Sequence, residues 1–322
     1  MRRIRLFPSI IISMVFLFTV SMIFSGCNNA EESGGTAIIE ENGEVKNEAS
    51  QEDISESENE KANGNLPYEG QELVISGSTT LLQVSEAWAA AFMENNGGTI
   101  ILNGGGSGAG IADIINSISD LANSSRQIKD EELQSAKSAG LDIQEYKVLC
   151  DGIAVVTSSN VSVDNLTVEE LSRIYTGEIT NWKDVGGDDA RIVAIARDSS
   201  SGTGEYFLEK VVQLGKTLKD NDYYENALML QSNAEVVNQV KENDNAIGYI
   251  SLGYLEDSLN VVRVDGIEPS IDTVKDGSYP VSRDLYIYSA GELTGIGKAF
   301  IDFVLSEKGQ EIGLEEGFVP LN

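Results

Sequence analysis

The 322-residue chain contains no histidine. That absence removes the commonest general base, the commonest zinc ligand, and the Ser/His and Cys/His pairs behind much nucleophilic catalysis. Cysteine is almost as scarce: Cys27 and Cys150 stand alone, neither in a CxxC pair, so no zinc or other metal site is expected. A bridge between them would tie the leader to a core strand, and Cys150 is instead read as a small buried apolar residue. Positive charge is also short. Twenty-two Lys+Arg against 52 Asp+Glu give a net charge of −30. This excludes nucleic acid as a partner, because phosphate backbones demand basic surfaces. It does not exclude a small anion, since oriented dipoles outweigh net charge at short range. No repeat of fixed period appears.

What is present begins with a leader. Arg2, Arg3 and Arg5 form a positive start, and Ile10 to Phe24 is an apolar run broken only by serine and threonine. The segment 1–26 reads as an export signal ending Phe24-Ser25-Gly26-Cys27. Small residues before a cysteine resemble the lipobox of bacterial lipoproteins, with Phe24 bulkier than usual. Cleavage before Cys27 would leave a lipid, such as palmitate, on that cysteine. The alternative is an uncleaved signal anchor. Either way the remainder lies outside the cytoplasmic membrane. Residues 27–66 follow as a tether. From 28 to 66 there are eleven acidic residues against Lys46 and Lys61, and no aromatic residue. Such a composition cannot bury enough apolar surface to offset the entropy of ordering, and like charges keep it extended.

The folded part is organised around Thr99-Ile100-Ile101-Leu102-Asn103-Gly104-Gly105-Gly106-Ser107-Gly108-Ala109-Gly110-Ile111. A β-branched run ends in five glycines around one serine, and a helical pattern is expected over 111–118. Glycines let backbone approach a ligand closely, and free N–H groups at a helix start favour an anion. Around it, strands are expected at 73–75, 99–102, 120–126 (ending in a polar cluster), 146–157, 192–196 and 246–250, with a return segment at 279–288. Helices are expected through 84–92 and stopped by Gly97-Gly98, over 130–139, from 167, over 205–214 and over 292–314. Thr167 and Glu170 form a capping box, and Trp182 is a packing anchor. Asp151-Gly152 interrupts the long apolar strand and suits a crossing between two domains. The alternation of strand and helix predicts an α/β fold with a largely parallel sheet.

Three loops share one chemistry: Ser78-Thr79-Thr80, Ser107 in the glycine stretch, and Ser201-Gly202-Thr203. Each follows a strand and opens a helix, the edge at which open α/β sheets bind ligands. Each supplies hydroxyls and backbone N–H groups, the donors an oxyanion requires. Arg197 precedes Ser201 by four residues and offers a charge-assisted contact, and Arg126 is a second candidate. Taken singly, the serines and threonines also fit as helix N-caps, Arg197 fits as a partner of Asp198, and Arg126 fits as a partner of Asp151.

The strings LVISGSTTLLQVSEAWAAAF, GGGSGAGI, LANSSRQI, DGIAVV, TGEITNWKDVGG and ARDSSSGTGEYF, spread over residues 71–322, resemble the phosphate-binding proteins of high-affinity phosphate ABC importers in their lipid-anchored form. The resemblance implies a two-domain periplasmic-binding-protein (type II) fold with a hinge and an interdomain ligand cleft. One domain would comprise 67–149 and 255–322, the other 150–254. It implies an extracytoplasmic, lipid-anchored protein that captures inorganic phosphate and delivers it to membrane permease subunits, with no enzyme activity and no cofactor. Carried over by motif, the phosphate contacts are Ser78, Thr79, Ser107, Arg197, Ser201, Gly202 and Thr203. Better-known members place an aspartate where this chain has Ser125. Asp151, oriented by Arg126, is expected to supply the missing acceptor, so Ser125, Arg126 and Asp151 complete the expected site. The alternatives are a binder of sulfate, molybdate or tungstate, a phosphate-ester hydrolase, and an adhesin or sensor that feeds no transporter.

Overall fold

The computed structural model describes residues 66–322. The expected signal segment, the lipidation site Cys27 and the tether up to residue 65 lie outside the described residues.

Three short strands, β1 (Glu72–Gly77), β2 (Thr99–Gly104) and β3 (Leu121–Ser124), pair in parallel with β1 in the centre. Helix α1 (Leu82–Asn96) connects the first two and buries Val84, Trp88 and Phe92. Gly97 and Gly98 end it with φ of 72° and 83°, which side chains rarely adopt. Helix α2 (Ser107–Ile115) begins four residues earlier than its apolar pattern suggests. Packing explains the difference: a Cβ on Gly110 would lie 2.5 Å from the Cα of Gly77, so the glycines of this helix let it rest on β1 backbone to backbone. Helix α3 (Asp130–Ser138) follows β3.

Strand β4 (Ile143–Thr157) is the spine. Asp151-Gly152 does not break it. Its first part, to Gly152, pairs with β10 (Ser282–Ala290), and its last five residues pair with β8 (Ala246–Ser251) and β9 (Asn260–Val264), all antiparallel. The remaining strands are β5 (Asn165–Leu166), β6 (Val193–Arg197) and β7 (Leu228–Leu230). The full order is β2-β1-β3-β10-β4-β8-β6-β7. The sheet is therefore mixed rather than largely parallel. Its two flanks are parallel, and antiparallel pairing joins them through the long strands β4 and β10, whose register shifts between Leu285 and Tyr286.

Five helices complete the second flank and the connections: α4 (Val168–Tyr175), α5 (Gly202–Phe207), which runs on as a π turn to Val212, α6 (Asn233–Glu242), and α7 (Ile271–Lys275), with α8 (Gly295–Val304) packing back against the first flank. The expected helix over 292–314 is two helices, α8 and α9 (Glu307–Glu315). Thr167 caps α4 with Glu170 reciprocating, as its sequence predicts. Trp182 is buried and donates its indole N–H to Asn245 O at 3.1 Å.

Two main cores lie on either side of Gly152. One draws Leu73, Trp88, Phe92, Leu149, Ile287 and Phe300 together. The larger holds Ile153, Trp182, Phe207, Tyr249 and Val262, and also Val274, Tyr279 and Val281. Residues 259–281, which the sequence groups with the first domain, thus add to the larger core, because β9 pairs with the far end of β4. β4 and β10 pass between the two halves that these cores define.

Candidate functional site

The ends of β1, β3 and β6 and the starts of α2 and α5 meet at one point. Thr80 Oγ1 lies 2.8 Å from Thr203 Oγ1, and Ser107 Oγ lies 3.2 Å from Ser125 Oγ. Ser125 Oγ is 3.5 Å from Thr203 Oγ1. All four side chains are buried. The approach is close enough that a Cβ on Gly202 would fall 2.2 Å from Ser107 Oγ. Gly106, with φ of 95°, sits equally tight against Ser200 O, and only glycine fits both the dihedral and the space.

Local structure sets each hydroxyl. Ser201 is the N-cap of α5 and accepts from Gly204 N–H at 3.1 Å. Ser107 Oγ accepts from Ser125 N–H at 3.0 Å. Ser78 Oγ accepts from Thr80 N–H at 3.2 Å, so it shapes its own turn. In each case the hydroxyl proton stays available for donation. The capping and ligand readings of Ser201 are therefore compatible.

Arg197 closes the ring. It is 1% exposed. Nη2 donates to Thr79 Oγ1 at 3.0 Å and to Gln231 O at 2.5 Å, and Nε donates to Leu230 O at 3.3 Å. Nη1 is buried with no hydrogen-bond partner among the described residues. A buried guanidinium nitrogen without an acceptor is costly to leave so. Burial lowers the Arg197 pKa from its ordinary value, and Arg283 lowers it further against the opposing influence of Tyr249 and Asp198. An anion between these hydroxyls would meet both the unsatisfied N–H and the positive charge.

Two expected residues stand elsewhere. Arg126 does not pair with Asp151. Its Nη1 and Nη2 grip Glu132 at 2.8 and 2.7 Å, and its Nε pairs with Glu205. These carboxylates follow Arg126 by six residues and head α5, so they reach it first. Asp151 is fully buried on β4, and its partner is Arg283 on β10, at 3.2 Å through Nε and 2.8 Å through Nη2. Its other oxygen accepts from Ser251 Oγ at 2.7 Å and Leu252 N–H at 3.3 Å. Burial pushes the Asp151 carboxyl up, while Arg283 and these hydrogen bonds pull against it. Cys150 is only half-buried, not a core residue, and donates its thiol to Asp284 at 3.3 Å.

The sequence reading missed Arg283 and Asn233. Arg283 Nη2 and Asn233 Nδ2 each reach Thr80 Oγ1 at 3.3 Å, and Arg283 Nη1 donates to Ser125 O at 3.0 Å. A signal existed for the first. Asp151 precedes the apolar run 153–156 and Arg283 lies two residues before the apolar run 285–288, and opposite charges at the edge of buried runs are buried only in pairs. Asn233 carries no comparable signal.

A model of the PBP superfamily domain matches residues 46–308. Among curated relatives, the phosphate-binding protein PstS of Borreliella burgdorferi is 32% identical over 77% of this chain and 89% of its own length. That of Bacillus subtilis strain 168 is 29% identical over 97% of this chain and 94% of its own. Among solved structures, a substrate-binding protein from Clostridium perfringens, assigned to phosphate ABC transport and holding bound phosphate, is similar with a TM-score of 0.72 and 39% identity. The match covers 78% of this chain and 100% of that one.

Proposed function

From the premise that the chain belongs to the PBP superfamily, in the family of the phosphate-binding protein PstS, we propose that it captures inorganic phosphate between its two domains and delivers it to an ABC importer. The observation that carries this is the ring of buried hydroxyls closed by Arg197, whose Nη1 has no partner among the described residues. In this reading Thr79, Thr80, Ser107, Ser125, Arg197, Ser201, Gly202 and Thr203 touch the anion. Ser78 shapes the first loop, and Arg126 and Asp151 act through neighbours. Phosphate exchanges water for fixed donors from both domains. Contacts made by both domains at once favour the closed form, so closure follows from differential binding. The ring supplies hydrogen-bond donors for recognition, and we read its role as binding. We assign the expected lipid on Cys27 and the acidic tether to holding the binder near its permease, which raises its effective concentration there.

Calorimetric titration with phosphate, after unfolding and refolding to strip carried-over ligand, tests the reading. One-to-one binding that Arg197→Met strongly weakens is expected. A well-folded protein that takes up no phosphate would refute it, and molybdate and tungstate titrations would then identify the anion.

A further inference from the structure

Arg197 is held by its backbone as well as by its side chain. Its amide N–H donates to Tyr249 Oη at 2.9 Å. Tyr249 Oη lies 2.7 Å from Tyr223 Oη, and Tyr223 Oη donates to Gly204 O at 2.9 Å. The direction of this chain is fixed at both ends, because an amide N–H only donates and a carbonyl only accepts. Tyr249 accepts from Arg197 and donates to Tyr223, and Tyr223 donates to Gly204. Any other assignment leaves a hydroxyl proton of the chain without an acceptor. Burial pushes the Tyr249 hydroxyl up to about 12 and that of Tyr223 well above its ordinary value, so both keep their protons near neutrality.

The chain ties the end of β6, which carries Arg197, to α5, whose first residues are Gly202 and Thr203. Steric contact acts in the opposite sense. A Cβ on Gly204 would lie 2.8 Å from Arg197 Cβ, so strand and helix already touch. The glycine contact limits how near the two elements come, and the tyrosine chain limits how far apart they move.

The surroundings hold both hydroxyls in place. The Tyr249 ring stacks on Phe207, with 3.8 Å between centroids and 4° between planes, and Tyr175 meets both rings edge-on. Tyr223 arrives by an unusual route. After the π turn, Leu214, Gly215 and Lys216 take positive φ of 48°, 66° and 68°. The Gln213 side chain then donates to Asn221 O at 3.0 Å, and that of Asn221 to Val212 O at 3.1 Å. Left-handed backbone at two non-glycine residues is costly and persists only where its surroundings hold it. Here it returns the chain so that Tyr223 reaches Gly204. The three tyrosines and Phe207 all pack in the larger core, on one side of the cleft, so the chain does not depend on closure.

We propose that Tyr223 and Tyr249 are positioning residues for anion capture, forming a one-way hydrogen-bonded strut that holds Arg197 and the head of α5 at their binding separation before the anion arrives. The inference rests on the anion-binding reading above and adds to it two residues outside the hydroxyl ring. Breaking the strut lets strand and helix separate in the free protein. Apparent affinity then falls by the fraction of molecules that keep the competent arrangement. The bound complex, drawn together by the anion itself, releases at its usual rate.

The test combines two measurements on the full chain stripped of phosphate. Calorimetry gives the Kd for phosphate, and chasing bound radiolabelled phosphate with excess unlabelled phosphate gives the release rate. Tyr223→Phe keeps the ring and removes the central hydroxyl. Its Kd is expected to rise about three- to tenfold, the equivalent of one lost hydrogen bond, with the release rate of the parent. Tyr249→Phe is expected to show at least the same rise. The double variant is expected to match Tyr249→Phe alone, since residues acting as one chain are not additive. Should either variant fail to fold, Gly204→Ala serves: it wedges the same two elements from the other side and is expected to raise Kd without quickening release. The inference is overturned if folded Tyr223→Phe or Gly204→Ala keeps the parent Kd and only its melting temperature falls, which is the mark of a merely structural role. It is also overturned if release quickens in proportion to Kd, or if the double variant loses the product of the two single losses. A folded parent protein that binds no phosphate would instead remove the reading on which the inference rests.

Discussion

Arg197 shows how one side chain carries both structure and recognition. Three of its hydrogen bonds go to Thr79, Leu230 and Gln231, which fix the guanidinium from both flanks of the sheet, and Nη1 is left over. Arg197→Met keeps most of the buried stem and removes the charge. Losing one partner of a buried charged contact costs about 2–5 kcal/mol, so phosphate affinity should fall on the order of a hundredfold or more by calorimetry, with the melting temperature reporting that the fold persists. Cys150 is the opposite case, a side chain that looks reactive and is not. Burial and the neighbouring Asp284 push its thiol up to about 11, from an ordinary value of 9.0. Only the thiolate reacts, and each pKa unit is a factor of ten in thiolate fraction. In a Cys27→Ala background at about pH 8, alkylation of the native protein should be about a hundredfold slower than in denaturant. Equal rates would mean the Asp284 contact does not persist in solution.

Among the elements, α2 is where sequence and structure part most instructively. Its glycines read as a loop because glycine is a poor helix former, yet Gly108 and Gly110 lie inside the helix, where close contact with β1 at Gly77 outweighs propensity. Gly110→Ala would set a Cβ 2.5 Å from backbone that cannot yield, and overpacking of this kind costs about 1–3 kcal/mol. Gly105→Ala, which meets only Ala109 Cβ at 3.5 Å, should be near neutral. Urea melts of the two variants check the contrast, and equal midpoints would refute it. The same physics decides what else was legible. Strand–loop–helix order, the capping box at Thr167 and the hydroxyl loops are local patterns, and these were readable. The antiparallel middle of the sheet was not, because β10 meets β4 across more than a hundred residues of chain. Nor was the exchange of partners by which Arg126 goes to Glu132 and Glu205 while Asp151 takes Arg283. Pairing of buried charges depends on which strands lie side by side, and periodicity does not report that.

For the whole molecule, the decisive interactions are those that join its two halves without touching a ligand. Glu205 heads α5, on the side of the larger core. Its carboxylate pairs with Arg126 and Lys129, which follow β3 on the other side. Tyr206, the next residue, reaches Ser282 O on β10. This cluster borders an open cavity of about 990 Å³ that Arg283 and Asp284 also line. Partly buried ion pairs of this kind are screened less by salt than exposed ones. They cross from one half to the other, so in the closure proposed above they would favour the closed arrangement whether or not an anion is held. Glu205→Gln leaves Arg126 its paired contact with Glu132 and removes the charge that spans the halves. The closed state then loses stabilisation that the open state never had, and apparent affinity falls with the population of the competent form. Phosphate affinity should drop by about tenfold, or 1.4 kcal/mol, mainly through faster release. Small-angle scattering of the ligand-free protein should show a larger radius of gyration than the parent. If release rate and radius both match the parent, the cluster packs the surface without biasing closure, and the hydroxyl ring and Arg197 alone must draw the halves together.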